Sequence, residues 1–271
     1  MRRTIETALV PTQARLRAEV PVNADVRLSR AVFDAVVMDL DGVVTDTASV
    51  HKRAWKRLFD GFLATLPPRE GQDHRPFADA DYRLLVDGRP RDEGVRCFLA
   101  ARGIEVAPQQ VDALAQQKDC DFQNLLRSEG VRLIPGAVPL LTTLGQHGFR
   151  TAIVSASRHC ADVLGQAGLS MFFDASVDGV VAAELGLPGK PDPAVYLEAV
   201  RRLGTEPARA VVIEDALPGA EAGRQGGFAL VVGVGSGQHG RDLLAHGADV
   251  VVRDLAGIDV VRSPAMQRHQ P

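Results

Sequence analysis

Two aspartates set two residues apart, Asp39 and Asp41, stand in the stretch AVVMDLDGVVTDT over residues 35–47. The residues before them, Ala35, Val36, Val37 and Met38, are apolar without interruption, as in a central parallel strand covered on both faces. Such a strand delivers the next residues to its carboxyl end, where open α/β sheets bind their ligands. In an extended chain residues two apart point to one side, so both carboxylates face one small volume, and Gly42 lets the backbone turn or approach a ligand closely. Carboxylates held that close need a cation or a shared proton. An Asp-Gly pair also makes an ordinary turn or cap, so the reading depends on the company it keeps. Ser155, Ala156 and Ser157 close a second apolar run and precede a helix; a hydroxyl beside free backbone N–H groups is a seat for phosphate, while Ser155 or Ser157 taken alone reads as a helix N-cap. Lys190 lies in GKPDP, where neighbouring prolines restrict the backbone and present one ammonium that would offset charge between a phosphoryl group and the acids; alone it would be a solvated loop lysine. Glu214 and Asp215 end the apolar run AVVI and form a second acidic couple. A few carboxylates with retained waters suit Mg²⁺, although a single acid there would be a common helix start.

These groups need a sheet to hold them. Apolar residues of 47–66 recur three or four apart, as on an amphipathic helix. Residues 67–81 are polar and proline-containing, a loop. Helical patterns resume over 92–102 and 108–127, so a mainly helical block interrupts the sheet, too long for a simple crossover and of the size of a small lid. From residue 135 helices and strands alternate: helix 135–147, strand 150–155, helix 158–168, strand 173–177, helix 191–203, strand 210–214, helix 218–226, strand 228–234 and strand 249–252. That rhythm predicts an α/β fold, a Rossmann-like parallel sheet with helices on both faces, and an inserted small helical cap domain. The expected division is an N-terminal extension at 1–30 in a mobile state, a catalytic core from 31–46 and 130–261, a cap at 47–129 and a tail at 262–271.

The chain has 271 residues, 45% hydrophobic and 24% charged, with a net charge of -3, ordinary for a soluble globular protein. Without a general basic field, nucleic acid or an anionic membrane surface is not an expected partner, and any phosphate site must be local. Cys97, Cys120 and Cys160 are odd in number and widely spaced, which argues against a disulfide framework or a structural zinc site; buried reduced thiols are expected. No apolar signal core or eighteen-residue apolar run occurs, so a cytoplasmic location is the default expectation, and a monomer is compatible with the sequence.

Asp39 and Asp41, then Ser155, Lys190, and Glu214 with Asp215, in that order, resemble the four motifs of the haloacid dehalogenase superfamily over roughly residues 33–258. The resemblance implies Asp39 as nucleophile and Asp41 as general acid/base, the second Asp marking phosphoryl-transferring rather than dehalogenating members. It further implies Mg²⁺ held by Asp39, Asp215 and the backbone carbonyl of Asp41 with Glu214 in support, and phosphoryl oxygens held by Ser155, the Ala156 amide and Lys190.

Within that superfamily, DLDGVVTDTASVHKRAW, GRPRDEGV, QQKDCDF and SASR are similar to the β-phosphoglucomutase branch. Its members interconvert β-D-glucose 1-phosphate and glucose 6-phosphate through an aspartyl phosphate and a glucose 1,6-bisphosphate. The resemblance implies a small sugar phosphate as partner, a distal anion site at Arg91, whose guanidinium can grip phosphate bidentately, and substrate or hinge roles for His51, Trp55, Lys118, Ser157 and Arg158. Each has a plainer reading: Trp55 as cap core, His51 as a surface residue, Arg91 and Lys118 as solvated charges. Two residues depart from the pattern, Asp87 before Gly88, near where a lysine is usual, and Arg158 in place of the usual lysine after SAS. A sugar-phosphate phosphatase using the same core residues is the alternative.

Overall fold

The computed structural model describes residues 24–67 and 69–261. Among these, strands β2 (Ala35–Asp39), β3 (Arg150–Val154), β4 (Ala175–Val177), β5 (Ala210–Glu214), β6 (Leu230–Val234) and β7 (Val250–Val252) form one six-stranded sheet in the order β4-β3-β2-β5-β6-β7. Every pairing is parallel. The chain leaves β2 outward to β3 and β4, then returns to β5 and winds the other way, so the strand order reverses between β2 and β5. That is the crevice position of a doubly wound sheet.

Helices cover both faces, which is why β2 and β5 are fully apolar before their acids. Val36, Met38, Val211 and Ile213 face a cluster completed by α5 (Ala137–Gln146) and α6 (Cys160–Ala167). Ala35, Val37 and Val212 face the opposite cluster with α8 (Ala194–Arg202) and α9 (Leu217–Gln225). Alternation along each strand sends successive side chains to opposite layers. Between β4 and α8, α7 (Gly179–Leu185) is capped by Asp178, which accepts from Val180 and Val181 at 3.0 Å; α10 (Gly237–Ala245) joins β6 to β7. Sequence periodicity assigns neither helix: α7 spans only seven residues, and α10 opens on residues 237–242, none of them apolar enough to set a period.

Between β2 and α5 the chain makes α1 (Thr47–Thr65), a single turn α2 (Asp79–Asp81), α3 (Arg91–Ala101) and α4 (Pro108–Glu129). They enclose their own aromatic cluster, with Phe59 stacked on Phe98 at 3.8 Å and on Trp55 at 5.2 Å. The stretch expected as loop ends in α2, which runs into a π-helical turn at Tyr82–Val86; such turns are frequent at functional sites. Here it sets Asp87 and Gly88 against the core.

The N-terminal expectation needs correction. Residues 1–23 and the tail at 262–271 lie outside the described residues, but β1 (Val26–Ser29) is a strand paired in parallel with β8 (Ile258–Val261). Val26, Leu28 and Ile258 are buried in the main core, so residues 26–29 belong to it. The cysteines are free, yet only Cys160 is buried and Cys120 is exposed. Among the described residues no helix is long and apolar enough to cross a membrane.

Candidate active site

Register brings the two acidic couples together. Met38 of β2 pairs with Ile213 of β5, so Asp39 and Glu214 come next, side by side at the carboxyl edge and one strand spacing apart. One carboxylate oxygen from each of Asp39, Glu214 and Asp215 can be chosen so that all lie within 4.8 Å of one another. Lys190 enters this group from the loop before α8. Its ammonium, 2% exposed, bonds Asp39 Oδ1 and lies 2.8 Å from Glu214 Oε1.

The donor set fits a hard divalent cation. Asp215 Oδ1 is buried without a hydrogen-bond partner, and a Cβ added at Gly42 (φ +96°) would collide with Asp215 Oδ2; only glycine leaves that carboxylate its place. Glu214 is already engaged at both oxygens, Oε1 by Lys190 and Oε2 by the amides of Asp215 at 2.8 Å and Ala216 at 3.3 Å. It therefore braces the group; Asp39 is engaged too, Oδ1 by Lys190 and Oδ2 by the amide of Asp41 at 2.7 Å, which leaves Asp215 as the freest donor. The carboxylate of Asp41 is turned elsewhere, so only its backbone carbonyl could join them.

Burial, then the negative charge of Glu214, pushes the Asp39 carboxyl well above its ordinary range, with Lys190 opposing. Burial and the neighbouring acids Asp87, Glu214 and Asp39 push Asp215 up as well. These are acids that a cation would restore to their charged forms. Asp41 behaves oppositely. Burial raises it, but His51 and the hydroxyls of Thr47 and Ser155 outweigh this and hold it well below the usual carboxylate range. Ser155 Oγ donates to Asp41 Oδ2 at 2.9 Å, Thr47 Oγ1 donates to Oδ1, and His51 Nε2 lies 3.4 Å from Oδ1. Two neighbouring aspartates thus have contrasting environments, one crowded by acids and the other held by hydroxyls and His51.

The helical block supplies the other wall. His51 on α1 stacks on Phe122 of α4 at 3.9 Å with planes 2° apart. Its Nδ1 lies 2.6 Å from Lys118 Nζ, so with the ammonium donating, Nε2 carries the hydrogen facing Asp41. Lys118 is 5% exposed and sits 4.9 Å from the Trp55 ring centre; burial and nearby Arg91 bring its ammonium down to about 7. A solvated Lys118 and a surface His51 are therefore ruled out by burial. Trp55 is both cap core, 3% exposed, and a lining residue of the cavity over Asp39.

That cavity is small, about 60 Å³, room for a few waters. Arg91, Ala156, Ser157 and Arg158 line it. Ser155 itself is 3% exposed and is spent on Asp41, accepting in turn from the Ser157 amide at 3.0 Å. Every residue singled out in the sequence therefore comes to one junction between sheet edge and helices, though not all face the cavity.

Two residues of this junction escape sequence reasoning, and a third takes on a new role. His159 follows SASR, and Asp119 follows Lys118; His159 Nε2 and Asp119 Oδ1 are 2.7 Å apart, and Arg91 bonds the same oxygen. Adjacency to a motif is the only signal they carry. Asp87, a departure from the family pattern, lines the cavity. Burial pushes its carboxyl up to about 7, the Tyr82 hydroxyl opposing and Glu214 and Asp41 adding to the rise. A carboxyl whose folded value is raised from 3.8 to about 7 binds more protons folded than unfolded across that window, so its contribution to stability falls as pH climbs from 3.8 to 7. Asp87→Asn is expected to flatten this part of the pH–stability curve of the cation-free protein, followed by urea unfolding; an unchanged slope would assign the decline to other acids.

A haloacid dehalogenase-like hydrolase family model matches residues 33–227. A β-phosphoglucomutase of Mycobacterium bovis is 43% identical over 235 residues, covering 82% of this chain and 90% of that protein. One from Bacillus subtilis is 34% identical over 227 residues, covering 83% and 91%. The crystal structure of β-phosphoglucomutase from Clostridium difficile superposes with a TM-score of 0.67 at 25% identity, covering 82% of this chain and 92% of that one. With its acids, lysine and serine gathered at the switch point of the sheet, this chain is an enzyme and belongs to the haloacid dehalogenase superfamily, among the proteins similar to β-phosphoglucomutase.

Proposed function

We propose that this enzyme is a Mg²⁺-dependent β-phosphoglucomutase, interconverting β-D-glucose 1-phosphate and glucose 6-phosphate through an aspartyl phosphate and a glucose 1,6-bisphosphate. The observation that carries this reading is the enclosure of Asp39 and Asp41 in one small cavity whose opposite wall is built by Arg91, Lys118 and Trp55 of the helical block.

Asp39 is placed to attack phosphorus, forming the aspartyl phosphate as the bond to the sugar oxygen breaks, and so divides one difficult transfer into two. Asp41, held in its charged form by His51, Thr47 and Ser155, takes the proton from the sugar hydroxyl that attacks the aspartyl phosphate and returns it to the leaving sugar oxygen in the reverse sense. Lys190 and the Ala156 amide receive phosphoryl oxygens, and Ser155 orients Asp41. Mg²⁺, held by Asp39, Asp215 and the Asp41 carbonyl with Glu214 bracing, would supply charge stabilisation to the transferring group. At 60 Å³ the closed cavity falls far below the roughly 300–1,000 Å³ of small-molecule sites, so the helical block must lift to admit a sugar phosphate and close to exclude water.

Water exclusion separates the mutase from its alternative, a sugar-phosphate phosphatase, which the family's description as hydrolases supports. One assay decides: β-glucose 1-phosphate with catalytic glucose 1,6-bisphosphate and Mg²⁺, following glucose 6-phosphate and free phosphate together. Mainly glucose 6-phosphate is expected; mainly free phosphate rejects the mutase. Arg91→Ala is expected to lower kcat/KM of the sugar-phosphate reaction about a hundredfold, the scale of a charge-assisted contact made to the transition state, and to leave hydrolysis of p-nitrophenyl phosphate within a few-fold. Equal losses on both substrates would remove the distal-anion role.

A further inference from the structure

Arg91 and Asp119 line two cavities. Besides the 60 Å³ space over Asp39, a second of about 580 Å³ runs between α3, α4, the loop after β3, α7 and the loop before α8 that carries Lys190, and Arg91, Asp119, Ala156 and Arg158 border both. The second cavity has the volume of a small-molecule site and the first does not. Their shared border contains the ion pair of Arg91 with Asp119.

The hydrogen bonds of Asp119 tie three elements together. Oδ1 takes the guanidinium of Arg91 from α3 and Nε2 of His159, which precedes α6, at 2.7 Å. Oδ2 accepts from Gln123 Nε2 at 3.0 Å, one turn along α4. Burial works against the charge, but His159 and Arg91 hold the carboxyl below its ordinary value, so it is ionised near neutral pH. The carboxylate thus occupies the Arg91 guanidinium, the group that would otherwise grip an incoming anion, within the helical block, and through His159 it ties that block to the core.

We propose that Asp119 is a specificity-determining residue, a resident carboxylate that fills the seat of Arg91 and His159 until a substrate's second anionic group displaces it and opens the border between the second cavity and the space over Asp39. A neutral hydroxyl cannot replace a charge-assisted pair, whereas a phosphate presents three acceptor oxygens to the same donors. Substrates with only the group to be transferred leave the border shut, and those with a remote phosphate open it. The inference rests on Arg91 as the distal anion site.

The test uses the full chain. Binding of glucose 6-phosphate is measured calorimetrically in EDTA, where no turnover occurs, and hydrolysis of p-nitrophenyl phosphate is measured with Mg²⁺. Asp119→Asn, which keeps the shape and an acceptor for His159, is expected to bind glucose 6-phosphate about tenfold more tightly, since the competing resident is gone, and to hydrolyse the small ester several-fold faster. Asp119→Glu, which restores the charge, is expected to bind glucose 6-phosphate more weakly than Asp119→Asn does, as a resident carboxylate again competes for the guanidinium. If either quantity is unchanged in Asp119→Asn, the proposal is overturned and Asp119 is a structural ion-pair partner. Arg91→Ala run alongside distinguishes the failures: loss of affinity there with no response at Asp119 rejects only the resident-anion idea, and unaltered affinity rejects the Arg91 reading itself.

Discussion

Asp39→Asn is expected to lower turnover by about ten-thousandfold or more, the scale seen when a nucleophile acting as part of a unit is removed, while leaving the protein folded and no less stable. The reason lies in what surrounds it. Asp39 is 5% exposed and shares its volume with Glu214 and Asp215, and burial together with Glu214 already disfavours its charge. An amide of the same shape keeps an acceptor for the amide of Asp41, now 2.7 Å from Oδ2, and removes one of three crowded acids, while Lys190 retains Glu214. Two thermal melts check this, one in EDTA and one in excess Mg²⁺. In EDTA the variant should melt at or above the parent. The upward shift given by Mg²⁺ should shrink, because ligand-linked stabilisation follows affinity and one donor is lost. Undiminished turnover would end the assignment of Asp39 as nucleophile; an undiminished Mg²⁺ shift would move the cation elsewhere.

The second large effect is the reverse case. Lys190→Met removes a cation that touches both Asp39 and Glu214, in a position 2% exposed. Deleting one partner of a buried ion pair leaves charge without compensation and typically costs about 3–5 kcal/mol. Burial alone would push the lysine down, yet Asp39 and Glu214 hold its ammonium well above the ordinary value, so the ionised set is interdependent. The expected result is a lower urea midpoint in EDTA and partial recovery in Mg²⁺, since a divalent ion supplies some of the missing positive charge. A midpoint within error of the parent would show that the acids simply take up protons when Lys190 is gone. Catalysis should not recover with stability, because a phosphoryl oxygen would still lack its ammonium.

These effects arise because this region sets function against packing. Glu214 is fully buried, accepts from Lys190 and two amides, and fills the space over Gly219, where an added Cβ would overlap Oε1. Gly88, at φ +69°, lets the turn after the π helix approach the core, an added Cβ standing 3.2 Å from that of Ala216. The turn at Gly88 therefore rests directly on the loop that carries Asp215, which puts the helical block in contact with that loop.

By itself the sequence determined the six strands of the main sheet, the order of the acids and the parallel arrangement. Fully buried strands such as Ala35–Asp39 and Ala210–Glu214 are unbroken apolar runs, and a polar residue at their end can only lie at the sheet edge. Period and composition carry that information locally. Resemblance added Arg91, Lys118 and His51, which no local pattern would have selected. Other features are absent from any local pattern. α7 is too short for a period to show and the first six residues of α10 carry no apolar side chain to set one, while β1 exists only because β8, more than two hundred residues on, pairs with it. The contacts Lys118–His51–Asp41 and Arg91–Asp119–His159 join residues from helices to residues on or beside the sheet. Tertiary packing alone decided that Asp87 is a cavity acid rather than a loop charge and that Asp119 occupies the guanidinium of Arg91. Charge and burial depend on neighbours distant in the chain, and only the folded molecule specifies those neighbours.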